Sequence, residues 1–387
     1  MTKKASTLDK KKLNTSHLLE SESSISINHI NLLLDNLQRT VPWPTMKTML
    51  NICELSIGMG RDKTIEKLLG ENKKGNKFDD NFEKLKKLYY DYLFVGDKAV
   101  KLFNIERKII DDLITSFQLH QIEETVFQET YPFSLPEEKL KETDLFPKLV
   151  DIKDTNENLS LVFCTRRSFT ERIEINPKEL STEAKDHFND YDEIFGIKRY
   201  IRQFFNVVVL WKKKILIEVR IDIANGVSSQ ERNIAFFETI AQFNNLAREK
   251  LGIEAMLNEC INFFPLIDNL YESRGEGKVG EIAFNTDEGS TKSERMRRGA
   301  VDLRDEIYHK AGREAVDHIT LYRLAILWNF KISEYIETQI ELFLPGKSRI
   351  LSSAEQCLEE VIIKKCSVIE EYNFILDKMN MYLNNVS

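Results

Sequence analysis

Residues 204–223 read FFNVVVLWKKKILIEVRIDI, and no other run narrows the fold as much. The first eight residues form the most apolar stretch of the chain and end in Leu210-Trp211. After three lysines the pattern alternates strictly. Ile215, Ile217, Val219, Ile221 and Ile223 fall on one side of an extended chain, and Leu216, Glu218, Arg220 and Asp222 on the other. A helix would scatter these residues around its circumference, so the pattern predicts two strands, the second with one buried face.

The same order of signals returns further along. A strand ending in Leu327-Trp328 is followed by KISEYIETQIELFL, in which Ile332, Ile336, Ile340, Leu342 and Leu344 share one face against Tyr335, Glu337, Gln339 and Glu341. Upstream, Phe163, Thr165, Thr170 and Arg172 are echoed by Phe284, Thr286, Thr291 and, slightly displaced, Arg295. Each copy carries a charged helix, expected near residues 177–191 and 300–316, and ends in Ser-Ser-x-Glu, at residues 228–231 and again at 352–355. That spacing is a capping box, in which the serine takes one orphan amide of a helix start and the glutamate reaches back for another. The helices so announced carry Ile234, Phe237, Ile240, Phe243 and Ala247, and Leu358, Val361, Ile362, Ile369, Leu376 and Leu383, as apolar stripes.

The fold class expected is therefore α+β. A first α/β repeat spans residues 157–252 and a second spans 278–387, with 253–277 as the connecting segment. The result is a largely antiparallel sheet backed by helices on one side, its polar face free. This element order resembles that of the TATA-binding-protein saddle, in which two repeats form one curved sheet. No residue motif accompanies the resemblance.

The N-terminal third reads differently. Residues 1–24 are charged, lack an apolar segment and are expected to be a disordered leader. In residues 25–130, Ile27, Ile30, Leu33, Leu34 and Leu37 fall at helical spacing. A second helix opens at Pro44 with Met46, Met49, Leu50, Cys53 and Ile57 inward, and a third runs from Asp62 to Gly70. A fourth, over residues 79–91, precedes YLFVGDKAVKLFNI, expected as two short strands around Gly96 and Asp97. Helices followed by a hairpin are the order of a winged-helix domain. Lys84, Lys86 and Lys87 would then lie beside the wing, and Lys98 and Lys101 on it, where they can meet phosphates. Residues 131–156, punctuated by proline, read as a connector.

Charge directs attention to the first repeat. The whole chain of 387 residues carries a formal −7, so any nucleic-acid contact must be local. Residues 198–223 hold Lys198, Arg199, Arg202, Lys212, Lys213, Lys214 and Arg220 against Glu218 and Asp222, whereas residues 319–345 are slightly acidic. A second basic group, KSERMRRGAVDLR, supplies Lys292, Arg295, Arg297, Arg298 and Arg304. The candidate nucleic-acid residues are thus Lys84, Lys87, Arg199, Arg202, Lys212, Lys213, Lys214, Arg295, Arg297 and Arg298.

Catalytic readings carry less. GEGKVG at residues 275–280 follows a helix and precedes a strand, the reverse of a dinucleotide fingerprint. Glu218, Arg220 and Asp222 on one strand face are the kinds of group that hold a metal and a scissile phosphate in restriction-type nucleases. His309, four residues after Asp305, can be oriented by a carboxylate. A metal-dependent nuclease or phosphodiesterase centred on Glu218 and Asp222 is accordingly the alternative to a non-enzymatic subunit that binds DNA or RNA and a protein partner, and a pure protein scaffold is a third. No cofactor and no metal site is expected. The five cysteines include no CxxC pair, which suits reduced thiols in a cytoplasm. The abundant Lys, Asn and Ile have the look of AT-rich microbial coding, and a bacterial multi-gene system such as antiviral defence is a conceivable setting that no residue reports.

Overall fold

The structure, a computed structural model, describes residues 27–71, 76–176, 180–188, 190–223, 226–297 and 301–384. The expected leader and Arg298 lie outside the described residues.

Four helices open the chain: α1 (Ile27–Thr40), α2 (Trp43–Ile52), α3 (Arg61–Glu71) and α4 (Asn76–Val95). Ile30, Leu33, Leu34 and Leu37 of α1 and Met46, Met49 and Leu50 of α2 are all buried, as their spacing requires. There follow β1 (Lys98–Asn104), α5 (Arg107–Gln118), α6 (Glu137–Lys141), β2 (Lys148–Asp154), β3 (Asn158–Glu174), α7 (Thr182–His187), β4 (Phe195–Trp211), β5 (Leu216–Asp222) and α8 (Ser229–Leu251). The remainder is α9 (Pro265–Glu272), β6 (Lys278–Thr286), β7 (Thr291–Arg295), α10 (Ile307–Glu314), β8 (Ile319–Lys331), β9 (Glu337–Leu344), β10 (Val361–Lys364) and α11 (Ile369–Asn384).

The architecture is α+β around one large antiparallel sheet in the order β2-β3-β4-β5-β1-β10-β9-β8-β6-β7. The strand order mirrors itself about the β1–β10 pair. Trp211 and Trp328, each on the third strand from its end of the sheet, both point into the same apolar cluster. Each indole N–H donates to a buried carboxylate, Trp211 to Glu218 at 3.3 Å and Trp328 to Glu276 at 2.5 Å.

Four expectations change. The hairpin expected around Gly96 is not there: Tyr92, Leu93, Phe94 and Val95 are the buried last turn of α4, and Lys98–Asn104 is a single strand between β5 and β10. A strand with partners on both edges cannot be a wing tip. Second, the capping box at Ser228 and Glu231 forms as read, and α8 ends at Gly252 with φ 68°, the left-handed conformation that glycine adopts without Cβ strain. Its counterpart at residues 352–355 opens no helix: Val361–Lys364 is β10, and α11 begins only at Ile369. Third, α8 buries Phe243 and Ala247 as expected, but in its first half turns Ala235, Phe236 and Thr239 inward and leaves Ile234 and Phe237 exposed. Fourth, the charged helices are short, only Thr182–His187 in the first repeat and Ile307–Glu314 in the second.

The largest correction concerns the free polar face. One apolar cluster runs along the whole of one side of the sheet, built with α1–α4, α9 and α11; a second fills the other side of β3, β4, β5 and β1 under α5 and α8. In β5, Ile217, Val219 and Ile221 enter the second cluster while Leu216 enters the first, so the strand is closed on both faces. The helices that end the two repeats, α8 and α11, pack on opposite sides of the sheet.

Candidate nucleic-acid interface: the β3–β4 ribbon

Where the strands outrun their neighbours, a feature appears that burial patterns alone do not show. β3 and β4 are each 17 residues long and pair over their full length, from Asn158↔Trp211 to Glu174↔Phe195. β2 accompanies β3 only as far as Cys164, and β5 accompanies β4 only at residues 207–210. Beyond Arg167↔Arg202 the two strands have no other strand partner among the described residues, although Phe169 and Ile201 still pack against the two apolar clusters. At about 3.3 Å per residue, the eight pairs from Arg167 to Glu174 make a two-stranded ribbon roughly 26 Å long.

The root of the ribbon is anchored by polar contacts. Arg166 Nε donates to Thr143 O at 2.7 Å and Gln203 Oε1 accepts from Leu135 N at 2.9 Å. Arg167 donates to Asp222 O and Asn206 Oδ1, both at 3.2 Å, and stacks over Phe204. Further out, Phe169 stacks on Tyr200 with ring centroids 5.7 Å apart, the Arg202 guanidinium sits 4.7 Å from the Tyr200 ring centre, and Arg172 lies 3.7 Å from that of Phe195. Such stacking rigidifies guanidinium groups while leaving their N–H donors outward. Alternation puts Arg172 and Arg199 on one face, and Lys198 and Arg202 on the other. Arg172, Lys198 and Arg199 are exposed.

The remaining candidates are dispersed. Lys212, Lys213 and Lys214 form the β4–β5 turn at the far end of β4, some 40 Å from Arg199 by strand rise. Each has a carboxylate: Asp154 at 2.6 Å, Glu157 at 2.7 Å and Asp377 at 3.5 Å. Arg107 of α5 donates from one nitrogen to the carbonyls of Trp211, Lys212 and Lys214, holding the turn in place. The basic run that sequence assigns to one surface thus splits into an outer pair on the ribbon and a neutralised turn.

Lys84 and Lys87 are exposed on α4, Lys84 within 3.4 Å of Asn81. Lys98, expected at a wing, is fully buried with Nζ donating to Phe205 O at 3.1 Å and 3.8 Å from Asp222; burial pushes its ammonium pKa down against the pull of that carboxylate. Arg295 ends β7, exposed and 3.5 Å from Glu281; Arg297 is exposed. Arg304, read as part of the same basic group, is fully buried. It pairs with Asp302 and donates to the carbonyls of Leu270, Tyr271, Ser273 and Gly277, closing the C-terminal end of α9.

The carboxylates of the nuclease reading face inward. Glu218 is fully buried between Arg220 Nη2 at 2.8 Å, the Tyr372 hydroxyl at 2.5 Å and the Trp211 indole. Arg220 also donates to Phe94 O and lies 4.2 Å from the Tyr372 ring centre. Burial disfavours its charge, but Glu218 and Tyr372 more than offset that, and its pKa rises. Asp222 lies at the other end of β5, its Oδ2 accepting from Phe205 N at 3.4 Å. Among the described residues no group of three or more His, Cys, Asp or Glu side chains is arranged to hold a metal ion. His309 is likewise buried: Nδ1 meets Glu294 at 2.8 Å and Nε2 meets the Tyr271 hydroxyl at 2.9 Å, so its orienting carboxylate is Glu294, not Asp305.

Sequence reading named Arg199 and Arg202 but passed over Arg172, Phe169, Phe195 and Tyr200 as parts of the same surface. The signal is present as two basic, aromatic segments, RRSFTER and KRYIR, on either side of an acidic loop. All five cysteines are free thiols, and no helix among the described residues is long and apolar enough to cross a membrane. Neither a protein-family comparison nor a search of curated proteins gives a match to this chain.

Proposed function

We propose that this chain is a non-enzymatic, cytoplasmic binding subunit that grips the sugar-phosphate backbone of a nucleic acid with its β3–β4 ribbon. The observation that carries this reading is the composition of the shaft: over residues 167–174 and 195–202, five bases stand against two acids. They sit on a ribbon whose aromatic rings pack beneath the guanidinium groups. A two-stranded ribbon has the width to enter the major groove of a duplex, and its exposed cations replace the counterions of the phosphates they meet. Enclosure of Glu218 by Arg220, Tyr372 and Trp211 argues against hydrolysis at β5.

Binding is expected to be weak and salt-dependent. Four phosphate contacts, from Arg172, Lys198, Arg199 and Arg202, give a slope of log K against log salt of about −3 to −4 on duplex DNA. Lys198→Glu with Arg199→Glu should lower affinity at least tenfold and flatten that slope by about two, whereas reversal of the ion-paired Lys212, Lys213 and Lys214 should change it little. Fluorescence anisotropy of labelled DNA and RNA duplexes across a salt series reads both. A salt-independent affinity, or equal loss from the two sets of variants, contradicts the reading.

A further inference from the structure

The ribbon carries a charge pattern that its shaft alone does not explain. The loop joining β3 to β4, residues 175–194, holds two bases and six acids, so an acidic tip with net charge −4 crowns a basic shaft with net charge +3. Glu183, Asp186, Asp190, Asp192 and Glu193 are all exposed. Between and around the two charge blocks lie Ile173, Phe188, Tyr191, Phe195 and Ile197, each at least 37% exposed and Ile197 as much as 74%. Phe195 and Ile197 share one face of the ribbon, Ile173 lies on the other, and Phe188 packs on Tyr191 with ring centroids 6.0 Å apart; exposed apolar groups with opposite charges on their two sides are the layout of an interface centre with a charged rim.

We infer that this chain self-associates through the arm, two copies overlapping antiparallel so that the basic shaft of each lies against the acidic tip of the other. The two-fold axis then passes through the apolar junction, where the junction residues of both copies meet. Such a patch is self-complementary, as an isologous contact must be: what one copy offers at its shaft the other receives at its tip. A phosphate backbone matches the shaft but is repelled by the tip; a second copy matches both. The contact is modest. A shaft of about 26 Å by two strand widths of about 5 Å buries roughly 260 Å². With two shaft-to-tip contacts and both partners counted, about 1,000 Å² is buried, the low end for specific association. The dimer is therefore expected to be concentration-dependent and to dissociate as salt rises.

The inference does not rest on nucleic-acid binding, and its test needs none. Sedimentation equilibrium of the full chain at micromolar concentration, at low and high salt, should show a dimer that weakens severalfold with added salt. Lys198→Glu with Arg199→Glu, which turns the shaft from +3 to −1, and Asp190→Lys with Asp192→Lys, which brings the tip from −4 to zero, should each weaken the dimer at least tenfold. Mixing the two variants should restore a heterodimer, since one shaft of +3 then still meets a tip of −4. A misfolded variant would not pair. A monomer under all conditions overturns the inference. So does a dimer indifferent to these substitutions, or two variants that fail to pair when mixed.

Discussion

At the scale of the residue, Glu218 shows how a side chain that looks catalytic in sequence can be structural. Its two oxygens are taken by Trp211, Arg220 and Tyr372, and Tyr372 comes from α11, 154 positions later. Removing the carboxylate leaves the Arg220 charge buried without its partner, so Glu218→Ala should cost about 3–5 kcal/mol in urea unfolding. Tyr372→Phe, which deletes only the hydroxyl, should cost about 1–3 kcal/mol. Neither should alter nucleic-acid affinity of the folded protein; a variant that keeps its stability but loses an activity would reinstate a functional Glu218. Glu341 offers a test in pH. Burial raises its pKa, but Lys365 and Lys364, at 2.7 and 3.5 Å, pull it below its ordinary value. A depressed carboxylate contributes stability that is present above its unfolded pKa of about 4.3 and is lost as pH falls through the lower folded value. Glu341→Gln should therefore be less stable than the parent at neutral pH, and thermal melts of the two should converge as pH drops below about 4.

Elements follow local rules where local rules suffice. The capping box at Ser228 and Glu231 forms as its spacing dictates, and Ser228→Ala should cost about 1 kcal/mol, read by thermal unfolding. The identical spacing at residues 352–355 yields no helix: it falls in the connection between β9 and the strand Val361–Lys364, which pair antiparallel, and α11 starts only after that strand. Alternation in β5 correctly sorted its residues between two faces, but alternation cannot tell whether a face is covered. That depended on α8 and α11 packing on opposite sides, a fact of tertiary arrangement. The basic and aromatic composition of the ribbon was legible; its projection was not, since it follows from where β2 and β5 stop pairing. Replacing residues 168–201 by a two-residue Asn-Gly turn should leave the rest of the protein folded, at a cost of about 2–3 kcal/mol. Of the excised residues Phe169 and Ile201 also touch the apolar clusters, which sets most of that cost, and such a turn suits the strand twist. Loss of cooperative unfolding in that variant would show the ribbon to be part of the core.

At the scale of the whole molecule, β1 joins regions that sequence reading kept apart. It comes from the N-terminal third, pairs with β5 of the first repeat and β10 of the second, and sits at the centre of the sheet. Its first residue, Lys98, donates to Phe205 O of β4, and α11 reaches Glu218 through Tyr372 and Glu276 through Lys378 and Tyr382, which ties both halves together. Unfolding followed by tryptophan fluorescence and by far-ultraviolet circular dichroism should give coincident transitions; two separated transitions would mean that the N-terminal third folds on its own. Among the described residues the ribbon is the long element carried beyond the sheet, and the contacts proposed with other molecules fall on it. The most direct measurement is nucleic-acid binding, by anisotropy at low salt, of the ribbon-shortened protein beside the parent. The account predicts that the shortened protein folds and loses at least tenfold in affinity; a folded, shortened protein that binds as the parent does would contradict it.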